Sequence, residues 1–201
     1  TFMPLSRTDL GRFKPQTVFL GHIHKPHRPS NDVHYAGSPC GLDISETGRR
    51  TFLVYDTSDG NVEPRLIETA VIYFTESFSV CPRDDEVPRL QQEIAERIGS
   101  WDITEDDHPK VQLRVEAKGF AKDRGAILET LELGFEHFSY FRDQKPAIEK
   151  LKVSSNVQME AISECSMRYI EELDWSFGEG DEPTRDEVEL ATLSVIYGNQ
   201  D

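Results

Sequence analysis

Two histidines one residue apart, His22 and His24, follow the apolar run Thr17–Leu20 and Gly21 in the stretch "TVFLGHIHKPH". Imidazole suits borderline metals such as Mn, Fe or Zn, and a pair at i and i+2 can feed one ion or be divided between two ions about 4 Å apart. On spacing alone, a polar loop carrying His22, His24, His27 and His34 in solvent is the other reading, and without further context it prevails. The other candidates are basic. Lys118, Lys122 and Arg124 surround the turn "AKGFAKDRG" and form the compact cationic cluster between Val71 and Val153. They would either touch a DNA backbone or decorate a solvated turn.

The elements that must position these groups are legible from periodicity. Thr17–Leu20, closed by Gly21, predicts a buried strand ending in a turn, with the histidines at its C-terminal end. The segment "KPHRPSND" predicts a polar loop, "VHYAGSP" a short strand, and "RTFLVYDTSDGNVEPRLIET" a hairpin turning at Asp59-Gly60. Further on, "VIYFTESFSV" predicts a strand, and Leu90, Ile94, Ile98 and Trp101 have helical spacing. Val111, Leu113, Val115 and Ala117 alternate with polar residues as in a half-buried strand. Ile127, Leu131 and Phe135 mark a second helix, and "AIEKLKV" a further strand. The tail predicts one helix with the stripe Ile162, Cys165, Tyr169 and Leu173, then the loop "FGEGDEP". A second helix follows, opened by the capping-box spacing of Thr184 and Glu187 and striped by Val188, Ala191 and Val195.

Composition narrows the function classes. The 201 residues, 37% hydrophobic, suffice for one large domain or two small ones. A formal charge of −15, from 22 basic and 37 acidic residues, argues against a general phosphate-binding surface, so a polyanion must be met locally or through bound metal. No apolar run approaches the roughly 20 residues needed to cross a bilayer. The start "TFMPLSRTDLG" lacks the zones of a signal peptide. Cys40, Cys81 and Cys165 are odd in number and lack metal-knuckle spacing, which points to a reducing cytoplasm, with Cys40 read as structural. Trp101 and Trp175 are expected to close cores at helix ends. A first residue other than methionine, followed within about twenty residues by a strand, suggests a piece of a longer protein.

In order along the chain stand Gly21-His22-Ile23-His24, Lys25-Pro26, Tyr35-Ala36-Gly37-Ser38-Pro39 and Ser45-Glu46, followed by a hairpin. This ordered set resembles the last motif of calcineurin-like metallophosphoesterases, and specifically of SbcD-type DNA repair exonucleases. The resemblance implies an α+β fold in three parts. Residues 1–70 would form the β-rich C-terminal edge of a metallophosphoesterase sandwich, 71–153 a small α/β capping domain that orients DNA, and 154–201 a helical tail. It implies that His22 and His24 each ligate one of two divalent metal ions, usually manganese, in a nuclease hydrolysing DNA phosphodiester bonds. Gly37 and Ser38 would shape the site wall or form a tight turn.

Among partners the resemblance implies DNA, an SMC-like ATPase of SbcC type bound through the tail, and a possible homodimer. No membrane is implied, and the compartment is cytoplasmic. The family's other ligands come from Asp-x-His, Gly-Asp, Gly-Asn-His-Asp and a further histidine, none of which precedes Thr17. Asp106-Asp107-His108 and Gly198-Asn199-Gln200-Asp201 echo two of these motifs and are assigned to chance. The chain alone is therefore expected to be inactive. Two alternatives stay open: an inactive assembly module that docks an SMC-like ATPase, and a phosphoesterase of small phosphoesters.

Overall fold

The computed structural model describes residues 6–154, 156–173, 175 and 183–198. Most of the loop "FGEGDEP" and the last three residues of the Gly198–Asp201 echo lie outside the described residues. The chain is a mixed α+β protein dividing into two units, Thr1–Tyr73 and Phe74–Asp201.

In the first unit, α1 (Arg7–Phe13) precedes β1 (Val18–Leu20), β2 (His27–Ser30) and β3 (Val33–Tyr35). β3 is central, parallel to β1 with Val18 opposite Val33 and Leu20 opposite Tyr35, and antiparallel to β2. The "KPHRPSND" segment is thus not simply a loop. Its side chains are all exposed, which removes the apolar signal, yet its backbone pairs as an edge strand with a register irregularity between His27 and Ser30, and both features tolerate Pro29. β4 (Arg50–Tyr55) and β5 (Val62–Ile67) form an antiparallel hairpin. Gly60 supplies the left-handed residue of its turn at φ +78°. This unit buries Val33, Ile44 and Ile72, while Phe19, Ile23, Leu42, Phe52, Val54 and Leu66 remain 41–70% exposed.

The second unit is built on β6 (Ile72–Val80), whose first two residues belong to the first unit. Then come α2 (Glu86–Gly99), β7 (Val111–Ala121), α3 (Arg124–Gly134), β8 (Ser139–Tyr140), β9 (Ala147–Val153), α4 (Val157–Glu172) and α5 (Arg185–Tyr197). β7 is the central strand, with β6 along one edge and the parallel β8 and β9 along the other. Its odd residues Val111, Leu113, Val115, Ala117 and Ala121 are buried with Phe74, Phe78 and Val80 of β6. Leu90 and Ile94 of α2 and Ile127 and Leu131 of α3 are buried with them, and α2 packs on α3. Trp101 closes this core: its ring stacks on Phe74 with centroids 4.1 Å apart, and its Nε1–H donates to Glu76 at 2.7 Å.

The tail helices pack onto each other, and α5 packs on β7. Met167, Ile170, Leu193 and Tyr197 form a buried cluster against Cys81 and Phe120, with Trp175 at its edge. The stripe expected on α4 is turned outward, with Ile162 51%, Tyr169 69% and Leu173 53% exposed. The inward face is Ser163, Met167 and Ile170, a second stripe one residue out of phase. Ser163 is accommodated there because its hydroxyl bonds the Glu160 carbonyl and the Tyr197 hydroxyl. On α5, Leu193 and Tyr197 face inward while Val195 and Ala191 face out. The Thr184–Glu187 capping box forms as the spacing indicates. Cys40 is exposed, so its expected structural role is not packing.

Candidate metal centre

β1 delivers the chain to Gly21, and His22 then adopts φ +75°, a left-handed conformation that a non-glycine residue holds only when its surroundings impose it. The "YAGSP" turn stands against the residues that follow, His24 and Pro26. Gly37 sits at φ +80°, where a Cβ would lie 2.8 Å from the Pro26 ring and 2.9 Å from the His24 carbonyl. Only glycine lets the two segments approach this closely, so Gly37 is a turn and packing residue. The neighbouring Ser38 amide donates to the His24 carbonyl at 3.0 Å.

The side chains complete the arrangement. Glu46 Oε1 lies 2.7 Å from His24 Nδ1, and Ser38 Oγ donates to Glu46 Oε2 at 2.8 Å. Hydrogen bonds from His24 and then from Ser38 pull the Glu46 carboxyl down to about 2, so it is ionised at any ordinary pH. An ionised carboxylate only accepts, so Nδ1 donates to Glu46 and Nε2 lies on the far side of the His24 ring. Arg50 locks the pair from beneath. Its side chain is 4% exposed, donates to the backbone carbonyls of His24 and Glu46, and stands 3.5 Å from Glu46 Oε2.

The Glu46 carboxylate thus fixes the orientation of the His24 ring, as a carboxylate hydrogen-bonded to an imidazole does in general. His22 is exposed on the same turn. The remaining histidines of the stretch are not in solvent loops as a group. His27 stacks on Tyr35 with centroids 6.3 Å apart, and His34 is buried against Phe19 at 5.7 Å. Among the described residues, no group of three or more His, Cys, Asp or Glu side chains could hold a metal ion. The chain thus shows one pre-oriented imidazole beside a second, not a closed coordination shell.

The cationic cluster is divided by the fold. Lys122 pairs with Asp84 at 2.7 Å and Glu160 at 3.5 Å, and Arg124 donates to the Ile148 carbonyl at 2.8 Å. Both are engaged in holding the second unit together. Lys118 instead lies on the outer face of β7 beside Glu116. Asp107 of the Asp106-Asp107-His108 echo is buried and accepts from Thr104 at the start of a short 3-10 helix, Glu105–Lys110, a structural role.

The sequence presents Glu46 within the Ser45-Glu46 motif without indicating its partner, and nothing in it singles out Arg50. The signal for Glu46 is a carboxylate shortly after the Gly-Ser-Pro turn, shared with Asp43; for a buried arginine there is none. No protein-family model matches the chain, and no curated protein is significantly similar to it.

Proposed function

We propose that this chain contributes the last metal-ligand motif of a two-metal, manganese-dependent DNA nuclease of the SbcD-type metallophosphoesterases, together with a capping domain and a helical tail. The observation that carries the reading is the His24–Glu46 hydrogen bond of 2.7 Å, which presents Nε2 outward on a turn braced by Gly37, Ser38 and Arg50. His22 and His24 would each serve one of the two ions, and the further ligands would come from outside these 201 residues. The many exposed apolar side chains of the first unit, Phe19 and Phe52 among them, fit a β-sandwich edge awaiting its remaining layers. When bound, the ions supply Lewis acidity and an activated water for attack on the phosphodiester. The part of this chain is to fix ring orientation and tautomer at His24.

The three cysteines are unpaired and no described helix is long and apolar enough to cross a membrane, both in keeping with a cytoplasmic enzyme. A second reading, an assembly module, is favoured by the outward stripe Ile162, Tyr169 and Leu173. It offers an apolar surface of the kind that docks on a coiled coil such as that of an SMC-like ATPase.

The test of the metal reading uses the chain itself. Paramagnetic Mn²⁺ titrated into it should broaden the ring signals of His22 and His24 before those of His27 and His34. Broadening that spares His24, or strikes all four rings equally, would sink the proposal.

A further inference from the structure

The helical tail is acidic, and so is the rest of the second unit on which it rests. Residues 154–201 carry 12 acidic and 2 basic residues, and residues 74–153 carry 17 acidic and 12 basic ones. Net charge therefore pushes the two parts of the unit away from each other. The apolar contact that opposes this push is narrow. Met167, Ile170, Leu193 and Tyr197, the buried residues of the tail cluster, all come from α4 and α5, and Met159, Trp175, Val188 and Ile196 packed around them also belong to the tail. The rest of the unit contributes Cys81 and Phe120, with the Tyr197 ring stacked on Phe120 at 4.2 Å. The two helices thus pack chiefly on each other and leave a small apolar footprint on the sheet.

The other links run along the margin of the tail. It faces α2 across a cleft of about 500 Å³, which long charged side chains bridge. Arg83 donates to Glu171 at 3.1 Å, Arg89 reaches the same carboxylate, and Arg97 stands 3.6 Å from Asp186. Near the start of α4, Lys122 stands 3.5 Å from Glu160. In each of these pairs the cation comes from residues 74–153 and the carboxylate from the tail. Where the chain leaves β9, the Ser154 hydroxyl donates to the Tyr197 hydroxyl at 3.3 Å, and α4 begins at Val157. Ion pairs with partly exposed members, such as Arg89, Arg97 and Lys122, are each worth up to about fivefold in an equilibrium constant. Segments with few buried contacts to their surroundings open at a lower free energy than the whole molecule.

We propose that α4 and α5 form a releasable strap, a helical hairpin that leaves the second unit as one piece while the sheet, α2 and α3 stay folded. Opening breaks the pairs made by Arg83, Arg89, Arg97 and Lys122, unstacks Tyr197 from Phe120 and bares Cys81. Met167, Ile170 and Leu193 keep their partners across the hairpin, which is why the two helices move together. The strap is then a two-state element, and a partner that binds the open hairpin better than the docked one draws it away from the sheet. The inference is independent of the nuclease reading.

The experiment is native-state hydrogen exchange of the full chain in increasing urea, read by mass spectrometry on α4, on α5 and on residues 111–117 of β7, 90–98 of α2 and 127–131 of α3. The two tail helices should share one protection level and one urea slope, both smaller than those of the other three segments. The variant Arg89→Gln/Lys122→Gln cuts two of the pairs from the sheet side. Arg89 lies near the start of α2 and Lys122 directly precedes Asp123, the N-cap of α3, where positive charge does not support a helix, so the loss falls on the tail contact. In this variant α4 and α5 should exchange about tenfold faster, with the other segments within about twofold of the parent. Lys145→Gln, whose partner Glu132 lies outside the tail, should leave tail exchange within about twofold. Tail helices that exchange only together with β7, that open at different urea slopes, or that are no faster in the double variant overturn the proposal, as does a double variant that loosens β7 as much as the tail.

Discussion

His24 and Glu46, twenty-two residues apart in the chain, meet through Nδ1 and Oε1 at 2.7 Å, and this contact decides which nitrogen of the ring faces outward. Removing the carboxylate frees the ring to rotate and to exchange tautomers. In a parent protein that carries the further ligands, Glu46→Ala should lower manganese-dependent DNA cleavage by about 10- to 100-fold, the usual effect of losing a partner behind a metal-bound imidazole. His24→Ala should abolish cleavage, and His27→Ala should be mild. Near-normal cleavage by Glu46→Ala would separate this hydrogen bond from function.

Glu76 makes a pH prediction. Burial raises its carboxyl above the ordinary 4.5, opposed by the Trp101 hydrogen bond and by Arg97 at 3.8 Å. A folded-state pKa above the unfolded value contributes stability that is fully present below the unfolded pKa and is lost as pH rises through the folded one. Glu76→Gln keeps an acceptor for Trp101 Nε1–H and removes the buried charge. The variant should melt at the same or a higher temperature than the parent at pH 7, with the gap closing below about pH 4.5. A melting temperature clearly below the parent's at neutral pH would show that attraction to Arg97 outweighs desolvation.

Two glycines should respond in opposite ways to alanine. Gly119 has φ +104°, and a Cβ there would sit 2.4 Å from the Val80 carbonyl oxygen, a backbone atom of the adjacent strand that cannot swing aside. Gly119→Ala should cost about 2 to 4 kcal/mol in urea unfolding. Gly99, the last residue of α2, has nothing within 4 Å of its Cβ position and no left-handed φ, so Gly99→Ala should stabilise by about 0.4 to 1 kcal/mol. Equal effects at the two sites would mean that β6 and β7 can separate to admit a methyl group.

The contrast between legible and illegible parts follows from how strongly each residue type commits its neighbours. The alternation Val111, Leu113, Val115 and Ala117 could bury only one face, and it did. Asp59-Gly60 left the chain little choice but a hairpin. β2 carries no apolar face, and a strand held by backbone pairing alone leaves no mark on side-chain pattern. On α4 two stripes interleave, and Tyr169 and Leu173 offer large apolar side chains just as Met167 and Ile170 do. Which pair faces in was settled by Phe120 and Tyr197, distant in sequence and stacked at 4.2 Å. The histidine pair was visible because imidazoles at this spacing are uncommon, whereas its bracing by Ser38, Glu46 and Arg50 depends on a turn that returns the chain to His24.

The outward stripe of α4 permits a test that truncating the tail would not. Deleting residues after Val153 would strip Met167, Ile170, Leu193 and Tyr197 from Cys81 and Phe120, so the loss of a partner could not be told from loss of fold. Point substitutions separate the two faces. Met167→Ala removes a fully buried side chain and should cost about 2 to 5 kcal/mol. Tyr169→Ala and Leu173→Ala remove exposed atoms and should leave stability within about 0.5 kcal/mol. If the stripe docks on the coiled coil of an SMC-like ATPase, the double variant Tyr169→Ala/Leu173→Ala in the parent protein should lose that partner in a pull-down while melting normally and cleaving DNA with manganese. Retention of the ATPase by this stable variant would assign the stripe to solvent and place the docking surface elsewhere.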